Sequence, residues 1–427
     1  MNQNDLLNIT YANVDTARVE MDRLLKSRQR NYSLPRPLYN DPHMFRIDME
    51  EIFQKEWLFV GMTSEVPKKG DYFTVEIGQN PVLILRDGDG QVRAFHNTCR
   101  HRGSRLCSAE RGKVANLVCP YHQWTYDLKG NLLFAGTDMG TTFDKSQHGL
   151  NKAHCKTAGG FVFVCLGDEE PEGDFDDFLL TLEEYMEPYD MENTKLAVES
   201  SMYEQANWKL VIENNRECYH CNGNHPELLN TLLEWDDTHD PRADEAFLAH
   251  YERQSKEWDA ESIPHEHKSF GVRNRIVRMP LKEGTEVMTI DGSKGCNKLM
   301  GRIKNRHLGS MRILHLPNSW NHMQSDHVIV FRVLPISAQE TLVTTKWFVH
   351  KDAVEGVDYD VAKLRQVWDA TNEQDKRLGE ENQRGINSVA YQPGPYSETY
   401  EFGVINFLDW YSDKLQENLA RISTSEG

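Results

Sequence analysis

The sequence predicts an α+β protein in which a small all-β module precedes a larger domain of mixed helices and strands. Three observations carry that prediction. Between Gly70 and Leu166 short β runs alternate with turn signals. Beyond the acidic connector Gly167 to Asp177, helical periodicity is interleaved with further β runs. Each region also holds its own group of candidate metal ligands, Cys and His in the first and His and carboxylates in the second.

Taken in order, residues 15–29 read as an exposed helix, followed by the extended, proline-bearing entry Ser33-Leu34-Pro35-Arg36-Pro37. Met49, Ile52 and Phe53 are apolar at helical spacing between Asp48 and Trp57. The β region begins with the partial alternation Asp71 to Ile77, then Pro81 to Arg86, which ends at the turn Asp87-Gly88-Asp89-Gly90. Trp124 to Asp127 runs into Lys129-Gly130-Asn131, and Gly160 to Leu166 is a continuous apolar run suited to a buried strand. Downstream the pattern gives a helix over Trp208–Tyr219, strands near Ser310–Leu314, Val328–Leu334 and Leu342–Val349, and a long helix over Val361–Gln383. Residues 236–310 are polar and irregular and take no assignment. The implied division is an N-terminal helical segment over 1–45, a β domain over 46–166 and an α+β domain over 167–427.

A formal net charge of −18 argues against nucleic acid or an anionic membrane as a partner. No apolar run approaches the roughly 20 residues of a membrane span, and the N-terminus lacks the basic start and apolar core of a signal peptide. A cytoplasmic location is the expectation. With eight cysteines and no secretory signal, a disulfide framework is not expected, and Cys/His spacing points to metal or redox work instead.

The first group is Cys99-Arg100-His101-Arg102-Gly103 followed by Cys119-Pro120-Tyr121-His122-Gln123-Trp124. Each half supplies one Cys and one His between β runs. Two thiolates on one iron and two imidazoles on the other make a [2Fe–2S] site of the Rieske kind. A Cys₂His₂ zinc site uses the same donors, but its spacing pairs Cys with Cys and His with His. Cys107 reads as a buried structural thiol.

The second group is Glu217-x₂-His220-x₄-His225. On a helix, i and i+3 share a face, so Glu217 and His220 can touch. Gly223 and Asn224 break the helix, and Pro226 biases His225 to an extended backbone, which lets its ring return to His220. Two imidazoles need a carboxylate to complete the facial triad of O₂-activating iron. Val361, Leu364, Trp368, Thr371, Asp375 and Leu378 fall on one helical stripe, and Asp375 is the carboxylate on it.

With these motifs in view, the chain resembles the α subunits of Rieske ring-hydroxylating oxygenases over nearly its whole length. It is most similar to the group acting on quaternary ammonium compounds: glycine betaine, stachydrine, carnitine and choline monooxygenases. The likeness extends to Ser33-Leu34-Pro35-Arg36-Pro37-Leu38-Tyr39, Trp57-Leu58-Phe59-Val60-Gly61, Phe95-His96-Asn97-Thr98-Cys99 and Tyr391-Gln392-Pro393-Gly394-Pro395-Tyr396-Ser397. Ser104 and Tyr121 stand where respiratory Rieske proteins carry a disulfide, which implies the oxygenase type.

The resemblance implies a Rieske domain inserted into a helix-grip catalytic domain, an antiparallel sheet with helices, in an α₃ homotrimer without a β subunit. It implies that Glu217 bridges a cluster histidine of one subunit and an iron histidine of the next. The expected activity is hydroxylation of an N-methyl group, most simply of glycine betaine, which yields dimethylglycine and formaldehyde. O₂ is the co-substrate. Because no G-x-G-x-x-G fingerprint opens a helix, a separate flavin/ferredoxin-type reductase is expected to bring electrons from NAD(P)H. The alternatives are an aromatic-ring dioxygenase and an electron-transfer Rieske protein without chemistry; the latter leaves Glu217, His220 and His225 without a use. Trp208, Trp235, Trp320, Tyr391 and Phe402 are candidates for caging a trimethylammonium group by cation–π contact.

Overall fold

A computed structural model describes residues 9–425 apart from Thr137 and Asp236, with side chains as far as Arg421. The chain forms two compact units: Phe53–Glu172, and Gly173–Gly427 together with the residues up to Ile52. The changes of unit fall a few residues beyond the divisions expected at 45/46 and 166/167. The short helix α3 (Pro42–Asp48), which follows α1 (Val14–Lys26) and α2 (Pro37–Asn40), and the π turn Met49–Phe53 explain the first difference. Asp48 at the end of α3 bonds to side chains of the second unit, which draws the segment there.

The smaller unit is a β structure. Strands β1 (Leu58–Met62), β2 (Asp71–Ile77), β3 (Asn80–Arg86), β4 (Val92–His96), β5 (Arg111–Lys113), β9 (Lys152–Ala158) and β10 (Phe161–Cys165) pair in the order β1-β10-β9-β4-β3-β2-β5. A second sheet of three short strands, β6 (Leu117–Val118), β7 (Thr125–Tyr126) and β8 (Leu132–Phe134), stands apart. Leu83, Leu85, Phe95, Leu117, Trp124 and Tyr126 share one buried cluster with Cys99 and Cys119. The two cysteines are thus anchored from the hydrophobic side of their loops.

The larger unit is built on one antiparallel sheet of seven strands in the order β11-β17-β16-β15-β14-β13-β12. Strands β12 (Lys268–Phe270), β13 (Asn274–Met279), β14 (Ser310–His315), β15 (Ser319–Met323), β16 (Val328–Ser337) and β17 (Glu340–His350) form a meander, and β11 (Thr194–Glu204) closes it beside β17. Because side chains alternate along a strand, register sets the faces. Arg312 pairs with His322, Leu314 with Trp320, Trp320 with Phe331 and Phe331 with Thr345, so these share one face. Across it lies the 26-residue helix α8 (Val361–Ile386), started by Asp360, whose carboxylate accepts from Lys363 N–H. Trp368 of α8 packs edge-on to Phe331, and Asn372 donates to Thr345. The opposite face receives α4 (Phe175–Met186), whose Phe178 stacks on His315.

Helix α5 (Trp208–Asn215) is buried from Trp208 to Glu213. A charged group in such a place must be partnered, and both are. Lys209 Nζ pairs with Asp48, which also accepts from Trp208 Nε1 at 3.0 Å and Tyr411 Oη at 2.6 Å. Glu213 accepts from Tyr39 and Tyr396, each at 2.8 Å, and burial still pushes it up to about 7.

The helix stops at Asn215, four residues short of the span predicted from periodicity, so Glu217 lies in a turn and His220 caps the short helix α6 (Cys221–Asn224). Asn214 and Asn215 favour leaving the helix because their side chains compete for backbone groups. Gly403, at the start of α9 (Phe402–Ser425), then permits close approach, since a Cβ there would stand 2.2 Å from Arg216 O. The unassigned stretch 236–310 contains a 16-residue helix, α7 (Glu245–Ala260), and the strands β12 and β13. Among the described residues no helix is long and apolar enough to cross a membrane.

Candidate metal centres and substrate cavity

In the smaller unit the two Cys–His segments fold into matching loops. Cys99 N–H donates to Ser104 O and Gly103 N–H returns to Cys99 O; Cys119 N–H donates to Trp124 O and Gln123 N–H returns to Cys119 O. Each loop needs a left-handed residue four positions after its cysteine, supplied by Gly103 (φ 78°) and Gln123 (φ 60°). The result brings Cys99, Cys119, His101 and His122 together, with the two imidazole centroids 4.6 Å apart. Burial pushes the Cys99 thiol up, while Tyr126 Oη lies 3.4 Å from its sulfur.

Trp124 stacks on His101 with centroids 4.9 Å apart and planes 6° apart, and Tyr121 stacks on His122. His101 Nδ1 is buried without a hydrogen-bond partner. A ring nitrogen with no protein partner beside two buried sulfurs and a second imidazole is a donor set waiting for metal. It fits the mixed thiolate–imidazole ligation of a [2Fe–2S] group.

The second centre assembles in the larger unit. His220 Nδ1 bonds Glu217 Oε1 at 2.5 Å, and His225 Nδ1 bonds Gln374 Oε1 at 2.8 Å. Gln374 donates its amide nitrogen to Glu227, which fixes its oxygen as the acceptor toward His225. Both imidazoles therefore carry their proton on Nδ1, leaving bare Nε2 lone pairs. Those two nitrogens stand 2.9 Å apart, and Asp375 Oδ1 lies 3.0 Å from one and 3.4 Å from the other.

Asp375 Oδ1 is also buried without a properly aligned hydrogen bond. Two bare nitrogens and a carboxylate oxygen at such distances repel unless a cation sits among them. Bonds of about 2.1 Å at right angles give edges of about 3.0 Å, so the triangle matches one face of an octahedral metal. Without metal, protons take its place: burial lowers His220, but its bonds to Asp375 and Glu217 outweigh that and lift it to about 9.

Glu217 reaches His220 through the turn rather than along a helix face, and also accepts from the backbone N–H of Tyr219 and of His220. The same turn holds a disulfide, Cys218–Cys221, although no disulfide framework was expected from the sequence. Two cysteines at i and i+3 on one tight turn, with Cα atoms 5.0 Å apart, meet the geometry of the bond. Gln374 went unrecognised in the sequence, although its place beside Asp375 on α8 was the available signal.

The triad opens into a cavity of about 170 Å³. Trp320 and Phe402, both singled out from sequence, line it, as do Trp368, His322, Met202 and Leu314. Trp208, Trp235 and Tyr391 do not. Trp208 is spent on Asp48, Trp235 donates to Arg242 O and stacks on Phe247, and Tyr391 bonds Leu34 O and Ser33. Glu204 also borders the cavity; burial first, then Asp375, holds it up at about 8.

Comparison with known proteins agrees with this geometry. Residues 56–137 match the Rieske [2Fe-2S] domain, and residues 188–417 match the ring hydroxylating alpha subunit (catalytic domain). The chain is 67% identical to the glycine betaine monooxygenase oxygenase subunit of Pseudomonas aeruginosa strain PAO1 over 96% of its own length and 95% of that protein's. Identity to the Chromohalobacter salexigens protein of the same name is 61% over 93% of this chain and 88% of that one. Identity to the Escherichia coli K12 carnitine monooxygenase oxygenase subunit is 34% over 48% and 55%.

Among solved structures, a quaternary ammonium Rieske monooxygenase in complex with its substrate L-carnitine superposes with a TM-score of 0.68 at 22% identity, covering 92% of this chain and 98% of that one. Naphthalene 1,2-dioxygenase from Rhodococcus sp. gives 0.67 at 19%, covering 93% and 98%. These two bear on the fold alone. The chain belongs to the family of ring-hydroxylating oxygenase α subunits, and it carries a Rieske [2Fe–2S] cluster and a mononuclear iron.

Proposed function

We propose that this chain is the oxygenase component of a two-component monooxygenase that hydroxylates an N-methyl group of glycine betaine in the cytoplasm. The net reaction consumes O₂, two electrons and two protons, and releases dimethylglycine, formaldehyde and water. One observation carries the chemistry: two bare imidazole nitrogens and a carboxylate oxygen, 2.9–3.4 Å apart, open into an aromatic-walled cavity. The choice of substrate rests on likeness over nine-tenths of the chain to two bacterial glycine betaine monooxygenase oxygenase subunits.

Cys99, His101, Cys119 and His122 would hold the cluster, and His220, His225 and Asp375 the mononuclear iron. When bound, these groups supply single electrons and O₂ activation. The chain's own residues do the rest. Glu217 and Gln374 fix the tautomers of the two imidazoles and hold their rings in place. Trp320 and Phe402 offer π faces to a cationic methylammonium group and exclude water from it. Positioning is most of the task, because the hydroxymethyl product loses formaldehyde without help.

Tyr121, 56% exposed and covered by Arg102, stands beside His122, while Tyr219, 58% exposed and stacked on Tyr400, stands beside Glu217. These two faces suit contact between successive copies in a head-to-tail homotrimer, with Glu217 between the metal centres. A separate NAD(P)H reductase completes the system.

The test is reconstitution with a ferredoxin-type reductase and NADH. Glycine betaine should drive O₂ uptake with one formaldehyde per O₂, above carnitine, choline, stachydrine and naphthalene. Turnover of the aromatic without turnover of betaine refutes the reading. Iron analysis giving two rather than three irons per chain would favour a plain electron carrier.

A further inference from the structure

One wall of the cavity carries hydrogen-bond donors that the chain itself leaves unused. Met288 N–H donates to Gln324 Oε1 at 3.3 Å, so the Gln324 amide nitrogen faces Ser310 Oγ, to which it donates at 3.0 Å. Ser310 accepts there and turns its own hydroxyl proton to His322 Nδ1, 3.3 Å away. With Nδ1 an acceptor, the imidazole proton resides on Nε2. Burial, with help from Arg312, pushes His322 down to about 3, so the ring stays neutral and keeps this single tautomer.

His322 is only 8% exposed, lines the cavity, and its Nε2–H has no acceptor among the described residues. Trp368 lies beside it, ring centroids 4.7 Å apart, and its buried Nε1–H likewise has none. A buried donor left unpaired is costly. Trp368 Nε1 is such a donor, and His322 Nε2–H on the adjacent ring, not fully buried, has no acceptor among the described residues either, so this wall calls for an acceptor that arrives with the ligand. Trp368 and Asp375 are seven residues apart on α8, about 10 Å along the helix axis, which separates this donor wall from the metal-binding triad.

We propose that His322 is a specificity-determining residue whose Nε2–H, with Trp368 Nε1–H beside it, binds the carboxylate of the zwitterionic substrate and so turns its methylammonium end toward His220, His225 and Asp375. This rests on the betaine reading above and adds the residue that tells a betaine from a cation lacking the carboxylate. Because the donors are neutral, they recognise an anion without repelling the ammonium group at the other end of so small a molecule.

The test compares wild type, His322→Phe, His322→Gln and Trp368→Phe in the reconstituted holoenzyme. Readouts are KM and kcat for glycine betaine and the inhibition constant of tetramethylammonium. His322→Phe keeps a ring against Trp368 but loses the donor. Its KM for betaine should rise about ten- to a hundredfold, the range for a hydrogen bond to a charged group, with kcat and tetramethylammonium binding little changed. His322→Gln, which can offer an amide N–H near the same place, should recover most of the loss.

Should the Phe variant fail to fold, Trp368→Phe reads the same discrimination through the second donor. An equal loss for betaine and tetramethylammonium, or no loss for betaine, overturns the assignment while wild-type turnover leaves the functional reading standing. Wild-type enzyme that releases no formaldehyde from betaine overturns both.

Discussion

Asp375→Asn isolates the carboxylate of the proposed iron site. The substitution keeps the shape of the side chain and the course of α8, and removes the only negative charge among three donors set 2.9–3.4 Å apart. Among the described residues the Asp375 carboxylate pairs only with the two imidazoles, so the fold should not depend on it, and the melting temperature of the variant should match wild type. Loss of a residue that merely orients a ligand already weakens metal binding about 10- to 100-fold. Losing the anionic ligand itself should cost at least the upper figure. A site about 90% filled with metal at ten times Kd then falls to about 9% after a 100-fold loss.

Iron per chain, measured after desalting, should drop from three to about two, while the visible absorption of the cluster is unchanged. Formaldehyde release should fall in step with the missing iron. An Asp375→Asn protein that keeps three irons and full turnover would refute both the triad and the helix-stripe argument that selected this residue.

Three further outcomes are expected. Glu217→Gln should retain three irons per chain and a reducible cluster, but slow cluster reoxidation in single-turnover mixing of the reduced enzyme with O₂ and betaine; a wild-type rate would remove Glu217 from the electron path. His122→Ala should abolish the reduced-cluster EPR signal and leave the mononuclear site able to bind Fe(II), so an intact signal would reassign the cluster ligands.

The third outcome is a pH dependence. Glu213 is raised from 4.5 to about 7 in the folded chain, chiefly by burial. The unfolded chain therefore releases this proton first, and stability falls as pH rises from about 4.5 to 7. Glu213→Gln should remove a swing of at most roughly 3 kcal/mol, read as the wild-type-minus-variant difference in urea unfolding at pH 5 and pH 8. An unchanged difference would show that Glu213 titrates normally.

The parts that were legible in the sequence share a physical cause: strong period or fixed spacing. Alternation over Asp71–Ile77 marks a strand because burial of one face of a pleated sheet imposes period 2, whereas the continuous apolar run at Phe161–Cys165 marks a strand buried on both faces. The α8 stripe brought Asp375 to the right face because Leu364, Trp368 and Thr371 are buried on it. Helix α7 was invisible because its inward line Phe247, Tyr251, Gln254, Trp258 is broken by a glutamine, which is satisfied by donating to His307 O.

The aromatic candidates divided for a reason no pattern shows. Trp208 had an acceptor waiting in Asp48, 160 residues away in the chain, whereas Trp320 had a cavity. His322 carried one faint signal, its i+2 spacing from Trp320 on the same strand face. Its tautomer, set by Gln324 and Ser310, depends on contacts between strands and loops that only the folded chain brings together.

The four-way knot at Asp48 also dictates an order of assembly on the ribosome. The β unit is contiguous in sequence and can close once residue 172 has emerged. Asp48 must wait for Tyr411, 363 residues later, before its last hydrogen bond exists. At ordinary synthesis rates that interval is roughly 20–70 s, during which the buried charge of Asp48 has no finished home. The residues of the cluster pocket are therefore all synthesised well before α9, whose Phe402 and Gly403 complete the lining of the iron site.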